Sequence, residues 1–264
     1  MPELPEVNAK QLHFEQCALQ QRIAKVDLID PSYILKEIAP ADFATKLRGR
    51  QFVSSYRRGK YFFAALDNGH YVLFHFGMSG RFRYYDAIAE QPKHERFAFV
   101  FENGYRLGFD CPRKFARIHY VPSLDGFIAR KNLGEDALLI SESQFLALAQ
   151  NRKSTLKGFL LNQKYLAGMG NLYVDEVCWQ QGIHPASRIS ALPLEKLKAL
   201  FHNMQDILRQ AVALNAEYSA YPESWLWNHR VPDGLCPKCL SSLEQDKVAG
   251  RTTYYCPQCQ AFLE

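Results

Sequence analysis

The hydrophobic pattern of the chain changes near residue 133. Between residues 48 and 120, apolar and polar positions alternate in short runs that are rich in β-branched and aromatic side chains. Asp-Asn-Gly at 67–69 and Glu-Asn-Gly at 102–104 separate some of these runs, and Asn-Gly pairs favour tight hairpin turns. Short alternating strands joined by such turns indicate an antiparallel sandwich or barrel. Residues 5–19 are compatible with one helix that precedes the sheet.

After residue 133 the apolar positions repeat with a helical period. Four segments show this period: 141–149, 153–161, 173–181 and 193–215. Ser141 is a plausible N-cap, although the acidic residue of a capping box is absent. The Gly-Met-Gly-Asn turn at 168–171 lies between two of these segments, and a compact hairpin is expected from residue 226 onward. The pattern therefore predicts a β-rich half, a helical half and a small C-terminal module.

Length and composition place the chain among ordinary globular proteins. Its 264 residues exceed the usual domain length of ~150, which predicts roughly two domains. With 47% hydrophobic and 22% charged residues, the chain can bury a core, which excludes disordered, collagen-like and small disulfide-rich classes. No apolar run approaches the ~18 residues of a membrane span, and the acidic start with two prolines differs from a signal peptide. We expect a cytoplasmic protein that does not associate with membranes.

The net charge of +5 is unevenly distributed along the sequence. No acidic residue lies between Asp42 and Asp67 or between Glu142 and Asp175, whereas these windows hold six and four lysines or arginines. A third basic cluster lies at 113–117. Three basic windows on one face would suit a polyanion such as a nucleic acid. A solvated basic surface is the alternative, and charge alone favours neither.

Four of the seven cysteines form two Cys-x-x-Cys pairs, Cys236/Cys239 and Cys256/Cys259. Two such pairs at this separation are a strong signal for a tetrahedral structural zinc site. A closed four-thiolate shell leaves no position for water, so this ion should stabilise a fold without taking part in chemistry. The other three cysteines, at 17, 111 and 178, are predicted to be reduced core residues.

Several motifs together resemble one known family. These motifs are Pro-Glu-Leu-Pro-Glu-Val at 2–7, Arg-Arg-Gly-Lys at 57–60, His-Phe-Gly-Met-Ser-Gly at 75–80, Pro-Arg-Lys-Phe at 112–115, Gly-Met-Gly-Asn-Leu-Tyr at 168–173 and the segment 250–259 around the second cysteine pair. In this order, over almost the whole chain, they resemble the formamidopyrimidine-DNA glycosylase and endonuclease VIII family of base-excision repair enzymes. The opening hexapeptide favours the formamidopyrimidine branch.

The resemblance implies an α+β multidomain fold. Its expected parts are an N-terminal antiparallel β-sandwich catalytic domain at 1–132, a helix-two-turn-helix domain at 133–225 and a C-terminal zinc-finger hairpin at 226–264. It further implies one structural Zn²⁺ and damaged double-stranded DNA as the partner. We expect a monomer that is cytoplasmic and associates with the nucleoid when bound to DNA.

The resemblance also implies a nucleophile at the N-terminus. Family members lose the initiator Met, which leaves the residue matching Pro2 as a secondary amine. An α-amine has a pKa of ~7.7–8, so a useful fraction is unprotonated at neutral pH. Attack on the sugar C1′ gives an iminium cation, which acts as an electron sink for elimination of the 3′ phosphate. Glu3 matches the acid–base carboxylate and Glu6 a supporting one. The alternative is a frayed, exposed terminus.

Three further residues match the family's phosphate-binding groups. Lys60 is expected on a strand, where it would contact phosphate beside the sugar and assist proton transfer; the alternative is a solvated lysine. Arg251, in the zinc hairpin, would bracket a phosphate and serve the δ-elimination step. Asn171 resembles the phosphate-binding Asn of the helix-two-turn-helix, and its alternative is an ordinary turn or capping residue.

Met78, Arg113 and Phe115 match the three residues that fill the void left by an extruded base. An apolar wedge, a cation and an aromatic ring suit that task, whereas core packing is the alternative for Met78 and Phe115. Further DNA backbone contacts are expected from four residues: His75, His94, Lys153 and Lys157.

The sequence departs from the family at the loop expected to close over the flipped base. The formamidopyrimidine branch usually carries Gly-Gly-Thr-Thr there, but residues 215–227 are shorter and lack that motif. The implied function is a bifunctional DNA glycosylase and abasic-site lyase for oxidised bases, namely formamidopyrimidines and 8-oxoguanine. Alternatives are an endonuclease VIII-like preference for oxidised pyrimidines, or a catalytically silent zinc protein that binds nucleic acid.

Overall fold

Residues 1–86, 88–150 and 152–264 are described by a computed structural model of the chain. The chain divides into two units, Met1–Asn132 and Leu133–Glu264. The finer division into three domains, with a boundary after residue 225, stays a prediction. None of the helices among the described residues is long and apolar enough to cross a membrane.

The first unit is a two-layered β structure with helices at its edges. Its strands are β1 (Ile23–Leu28), β2 (Leu35–Lys36), β3 (Phe52–Arg58), β4 (Tyr61–Leu66), β5 (Tyr71–His75), β6 (Arg81–Asp86), β7 (Glu95–Phe101), β8 (Tyr105–Asp110) and β9 (Arg117–Val121). Its helices are α1 (Leu4–Ala18), α2 (Pro40–Leu47) and α3 (Leu124–Lys131). One sheet has the order β1-β7-β8-β6 and the other β2-β9-β5-β4-β3. Of the two predicted architectures, the sandwich is therefore confirmed.

The strand order follows from the hairpins that the turn signals predicted. Residues 67–69 join β4 to β5 and residues 102–104 join β7 to β8, both antiparallel pairs. Gly69 and Gly104 have φ angles of 80° and 83°, a region that residues with a Cβ rarely adopt. The pairing of β2 with β9 is parallel. Strand β1 and helices α2 and α3 were not predicted, because each buries only one or two apolar side chains and so shows almost no period.

An aromatic core lies between the two sheets and fixes the N-terminal helix. The ring of Phe14, on α1, packs against those of Phe52, Phe62 and Phe82, with centroid distances of 5.0, 4.9 and 5.5 Å. Each aromatic pair contributes about 0.5–1.5 kcal/mol beyond the burial of its area. Helix α1 is thereby held against the sandwich, and the first residues of the chain are held with it.

The second unit is mainly helical. Its helices are α4 (Glu142–Ala149), α5 (Leu156–Leu161), α6 (Asn171–Gln180) and α7 (Leu194–Ala213), and its strands are β10 (Glu135–Asp136), β11 (Leu166–Ala167), β12 (Glu244–Val248) and β13 (Arg251–Tyr255). The expected C-terminal hairpin is formed by β12 and β13. Ser141 caps α4 as expected, and Gln144 completes a capping box in place of the missing acid. The Gln144 side chain accepts a hydrogen bond from the Ser141 amide at 3.0 Å and closes the box.

A buried ion cluster joins α5, α6 and the hairpin. The ammonium of Lys157 lies 2.5 Å from one carboxylate oxygen of Asp175, and both side chains are fully buried. The other oxygen accepts hydrogen bonds from the Arg230 guanidinium at 2.7 Å and from the Tyr254 amide at 3.3 Å. Burial lowers the pKa of the Lys157 ammonium, while the charge of Asp175 opposes that shift. The Asp175 carboxylate therefore pairs with two cations and also holds one strand of the hairpin through its backbone amide.

Removal of the Asp175 carboxylate is expected to destabilise the chain strongly. Asp175→Ala leaves the Lys157 charge buried without its counter-ion, which costs about 3–5 kcal/mol. The free energy of unfolding, measured by denaturant titration, should fall by that amount. Asp206→Ala is the matched control, because Asp206 forms an exposed pair with Arg209 at 3.4 Å, and its effect should stay within about 0.5 kcal/mol. Equal effects of the two substitutions would contradict the assignment.

Candidate active site and nucleic-acid interface

The N-terminus is ordered by the start of α1. Pro2 is half-buried and Glu3 is only 6% exposed, so the alternative of a frayed, exposed terminus is wrong. The carboxylate of Glu6 accepts a hydrogen bond from the Glu3 amide at 2.7 Å. The Glu3 carbonyl accepts the first helical hydrogen bond, from the Val7 amide at 3.0 Å. Glu6 thus fixes the backbone beside Pro2, and its supporting role in a reaction stays a prediction.

Lys60 occupies the turn between β3 and β4, directly before the strand on which it was expected. Gly59 precedes it with φ of 56°, and Arg58 pairs with Tyr61 across the turn. Lys60 is only 8% exposed, so the alternative of a solvated surface lysine is wrong. The tight turn and the burial together fix the position of the Lys60 ammonium.

His75 ends β5 among cationic groups. Burial, followed by the charges of Arg117 and Lys60, lowers the pKa of His75 to about 4. Its Nδ1 atom lies 3.3 Å from the Gly77 amide, which donates to it. At neutral pH the ring is therefore uncharged, and its proton lies on Nε2. His75 can donate a hydrogen bond to an anion but adds no charge. Two of the three predicted basic windows meet around it.

Two neighbouring loops present Met78, Arg113 and Phe115 at the surface. Met78 is 47% exposed and Phe115 60% exposed, which excludes core packing for both. The Met78 sulfur lies 3.7 Å from the Arg113 guanidinium. A Cβ at Gly77 would lie 2.4 Å from the Phe115 carbonyl carbon, so only glycine allows the two loops to approach this closely. The three side chains project together from the first unit.

His94 lies between β6 and β7 in an open groove of about 460 Å³. Arg81, Arg83, Lys93 and Asp110 are among the residues that line the groove. The His94 carbonyl accepts a hydrogen bond from the Cys111 amide at 2.9 Å. This bond ties the groove to the start of the loop that carries Arg113 and Phe115.

In the second unit, the Thr252 carbonyl places Arg251 near Asn171. Asn171 is the first residue of α6, and its side-chain amide donates to the Thr252 carbonyl at 2.9 Å. Arg251 is exposed at the start of β13, after a turn in which Ala249 and Gly250 have positive φ. The hydrogen bond therefore holds the arginine-bearing tip of the hairpin next to the start of α6.

The two predicted lysine contacts have different surroundings. Lys153 is exposed, as a phosphate contact requires. Lys157 is fully buried, and besides Asp175 it approaches only the Thr252 carbonyl, at 3.4 Å, among its described hydrogen-bond partners. The expectation that Lys157 contacts the DNA backbone directly is therefore wrong, because its ammonium is committed to an internal ion pair.

The four predicted zinc ligands converge on one point. The sulfur atoms of Cys236, Cys239, Cys256 and Cys259 all lie within 4.8 Å of one another. Tetrahedral zinc with bonds of about 2.3 Å separates its thiolates by about 3.8 Å. The distances of 3.8 Å for Cys236–Cys259 and 3.5 Å for Cys239–Cys256 fit that geometry. The four cysteines are positioned to bind one metal ion, and the donor set is that of structural zinc.

Sequence reasoning missed the acidic residues of α6. Asp175 and Glu176 are both buried, and burial raises the pKa of the Glu176 carboxyl to about 7. One Glu176 oxygen accepts a hydrogen bond from the Trp227 amide at 3.1 Å. The sequence signal that could have identified them is a pair of adjacent acidic residues within an apolar helix, because buried charged residues are rare unless they are paired.

The segment 215–227 contains both buried and accessible aromatic rings. Tyr221 and Trp225 are 4% and 5% exposed, and the Tyr221 hydroxyl lies 2.6 Å from that of Tyr173. These two rings pack inside the unit and are not available to stack on a base. Tyr218 is 40% exposed, and its ring lies 4.4 Å from that of Trp227. Of the four aromatic residues in this segment, only Tyr218 and Trp227 are partly or fully exposed.

Comparisons with known proteins agree with this geometry. Residues 1–118 match the formamidopyrimidine-DNA glycosylase N-terminal domain, and residues 133–222 match the formamidopyrimidine-DNA glycosylase H2TH domain. The formamidopyrimidine-DNA glycosylase of Chloroflexus aggregans is 31% identical over the full length of both chains. That of Arabidopsis thaliana is also 31% identical, over 98% of this chain and 71% of the relative.

Solved structures of a Lactococcus lactis protein are similar as well. Its complex with a THF-DNA and an inhibitor has a TM-score of 0.88 and 26% identity, covering 98% of this chain and 100% of the other. Its complex with DNA that contains FAPY-dG has a TM-score of 0.86 at the same identity, covering 98% and 99%. The sandwich, the cysteine cluster and the sequence matches lead to one conclusion: the chain belongs to the formamidopyrimidine-DNA glycosylase family.

Proposed function

We propose that this protein is a bifunctional DNA glycosylase and abasic-site lyase that excises oxidised bases in base-excision repair. The observation that carries the proposal is the ordered N-terminus, where a half-buried Pro2 precedes a buried Glu3 whose backbone is fixed by Glu6. Burial is unusual for the end of a chain, and the secondary amine of a terminal proline is the nucleophile that such chemistry needs.

In this proposal the two carboxylates and Lys60 serve the Pro2 amine. After removal of Met1, the unprotonated amine attacks the sugar C1′, and the damaged base leaves with the proton that the amine loses. The C1′–O4′ bond then breaks as Glu3 gives a proton to O4′, and the cationic iminium forms. Glu3 exchanges protons with the sugar, and Lys60 contacts the neighbouring phosphate. The charge of the iminium then drives β-elimination at the 3′ phosphate, and Arg251 assists δ-elimination at the 5′ side.

The exposed side chains of the two units supply the DNA contacts. Met78, Arg113 and Phe115 fill the space of the extruded base, which recovers part of the few kcal/mol of unstacking. Besides Lys60, five residues contact the phosphate backbone: His75 as a neutral donor, His94, Lys153, Asn171 and Arg251. Lys157 acts indirectly, through the hairpin. The protein acts on damaged duplex DNA as a monomer, in the cytoplasm and on the nucleoid.

Removal of the nucleophile tests this mechanism. Protein lacking Met1 should form a borohydride-trapped adduct with duplex DNA that contains an abasic site. Pro2→Gly, or retention of Met1, should slow trapping by at least about 100-fold, because each change removes the secondary amine at the terminus. Pro5→Ala, in the same hexapeptide, is the matched control and should trap at the normal rate. Undiminished trapping with Met1 retained would move the nucleophile to a lysine, with Lys60 the first suspect.

Zinc removal should abolish DNA binding without unfolding the sandwich. Without the ion, the hairpin no longer holds Arg251 in place, and the Thr252 carbonyl no longer orients Asn171. Charge-assisted hydrogen bonds contribute about 1.5–3 kcal/mol each, so loss of two contacts weakens binding by at least about 100-fold. Fluorescence anisotropy measures the affinity, and Cys17→Ser, which leaves the metal site intact, is the control. Unchanged affinity in protein verified as metal-free would refute this role.

Lesion preference should reflect the short segment 215–227. A longer loop offers more backbone amides to an oxidised purine, and each buried hydrogen bond contributes about 0.5–1.5 kcal/mol. We therefore expect formamidopyrimidines to be excised about tenfold faster than 8-oxoguanine, with abasic-site cleavage retained. Single-turnover rates on these three substrates and on an oxidised pyrimidine measure the difference. Equal rates for the two purine lesions would show that the segment does not limit recognition, and a higher rate on oxidised pyrimidines would favour the endonuclease VIII-like alternative.

A further inference from the structure

A basic groove of about 350 Å³ lies beside the exposed loop of the first unit. It is lined by Tyr33, Lys36, Arg113, Lys114, Phe115, Ala116 and Arg117, and none of these lining residues is acidic. Four of them are cations and two are aromatic. The groove is named here after Tyr33, a residue to which neither the motifs nor the proposed reaction gives a role.

Tyr33 is held in an exposed and strained conformation. Its side chain is 77% exposed, and its backbone φ is 69°, in the left-handed region. That conformation costs a residue with a Cβ roughly 1–2 kcal/mol. The next residue, Ile34, is fully buried, and its carbonyl accepts a hydrogen bond from the Ile118 amide at 2.8 Å. The fold therefore stabilises an arrangement that leaves a large ring in water, and such strain is typical of ligand-binding positions.

A network of charged side chains lies next to the Tyr33 ring. The Lys114 ammonium lies 5.8 Å from the centre of the Tyr33 ring. It is held by Asp30 at 2.5 Å, which also binds Arg96 at 2.7 Å. Lys114 itself has a φ of 52°, so two residues of the same groove adopt the left-handed conformation. Because Lys114 is already paired with Asp30, the charge that this part of the groove offers to a ligand comes mainly from Lys36 and Arg117.

The position of Arg117 connects the groove to the proposed catalytic face. Arg117 pairs with His75 across β9 and β5, and its charge contributes to the low pKa of that histidine. On the other side, β9 pairs with β2, where Lys36 lies opposite His119. The cations Arg117 and Lys36 thus continue outward from the neutral His75, and a polyanion is the ligand that such positive charge fits.

We propose that the Tyr33 groove binds the sugar–phosphate backbone of the undamaged DNA strand, opposite the lesion. This inference rests on the proposed function, in which Arg113 and Phe115 enter the duplex and face the orphaned base. The groove shares that loop, so the strand that carries the orphaned base is the one beside it. Lys36 and Arg117 bind phosphate, and the Tyr33 ring packs against a sugar, because bases of the intact strand stay paired and stacked.

Substitution of the lysine gives the first test. Lys36→Ala should reduce the slope of log Kd against log salt concentration by about 0.9, which corresponds to about tenfold weaker binding near 0.1 M salt. Lys25→Ala is the matched control, since Lys25 is exposed and forms a pair with Asp27 at 2.9 Å, and it should leave the slope unchanged. Equal slopes for Lys36→Ala and the unaltered protein would overturn the proposal.

Substitution of the tyrosine separates binding from folding. Tyr33→Gly relieves the backbone strain, so the denaturation midpoint should stay level or rise. The Kd for abasic duplex should nevertheless increase about fivefold, the effect of leaving roughly 40 Å² of ring unburied. Tyr33→Phe keeps the ring and should bind normally. Unchanged affinity of Tyr33→Gly would show that the ring touches no DNA.

Uncharged phosphates identify the strand. Methylphosphonates, placed one at a time opposite the abasic site, should weaken binding of the unaltered protein at one position of the undamaged strand. At that position Lys36→Ala should show no further loss. If the only such position lies in the damaged strand, or none exists, the proposal is wrong. Failure of the proposed function would give a different result from failure of the groove proposal. In that case the unaltered protein would neither bind nor cleave the abasic duplex.

Discussion

Asp175 balances Lys157 and Arg230 inside the second unit, and the geometry of the helical region depends on this one carboxylate. A buried charge is tolerated only when its partners stay in contact, so α5, α6 and the hairpin cannot separate without a large cost. Tyr254 donates its amide to the same carboxylate, and Thr252 offers its carbonyl to both Lys157 and Asn171. The exposed Arg251 is thereby carried on a strand whose neighbours are fixed from within.

The first unit follows the same principle with apolar groups. The Phe14 ring anchors α1 in the aromatic core, and the first turn of that helix orders Glu3 and the residue before it. Gly77 lets two loops approach each other, so Met78 and Phe115 project from a rigid base. In both units, the exposed side chains that we propose to contact DNA are supported by buried groups behind them. This arrangement is what catalysis by positioning requires.

Much of this could be predicted from local sequence, because local signals report on nearby residues. Alternation with Asn-Gly turns identified the hairpins, and the two Cys-x-x-Cys pairs identified the metal ligands. Lys157 was misassigned because its partner lies 18 residues further along the chain, and only the fold brings the two together. Gln144 was overlooked as a capping partner because an amide serves in place of the usual acid.

Other features had no sequence signal at all. Nothing in the order of residues indicates that Tyr33 adopts a left-handed conformation or that its ring stays in water. Likewise, the neutral state of His75 arises from burial beside Arg117 and Lys60, three residues that come from separate strands and turns. Such properties depend on how far apart strands and turns lie in the folded chain. The strand order sets these distances, and the periodicity of apolar residues does not encode them.

The central claim is that chemistry begins at the terminal amine of Pro2. The most direct test is to locate the covalent bond itself, by proteolysis and mass spectrometry of the borohydride-reduced complex with abasic DNA. The account predicts that the sugar remnant is attached to the N-terminal peptide, at the nitrogen of Pro2. A remnant found on Lys60 or on any other lysine would contradict it.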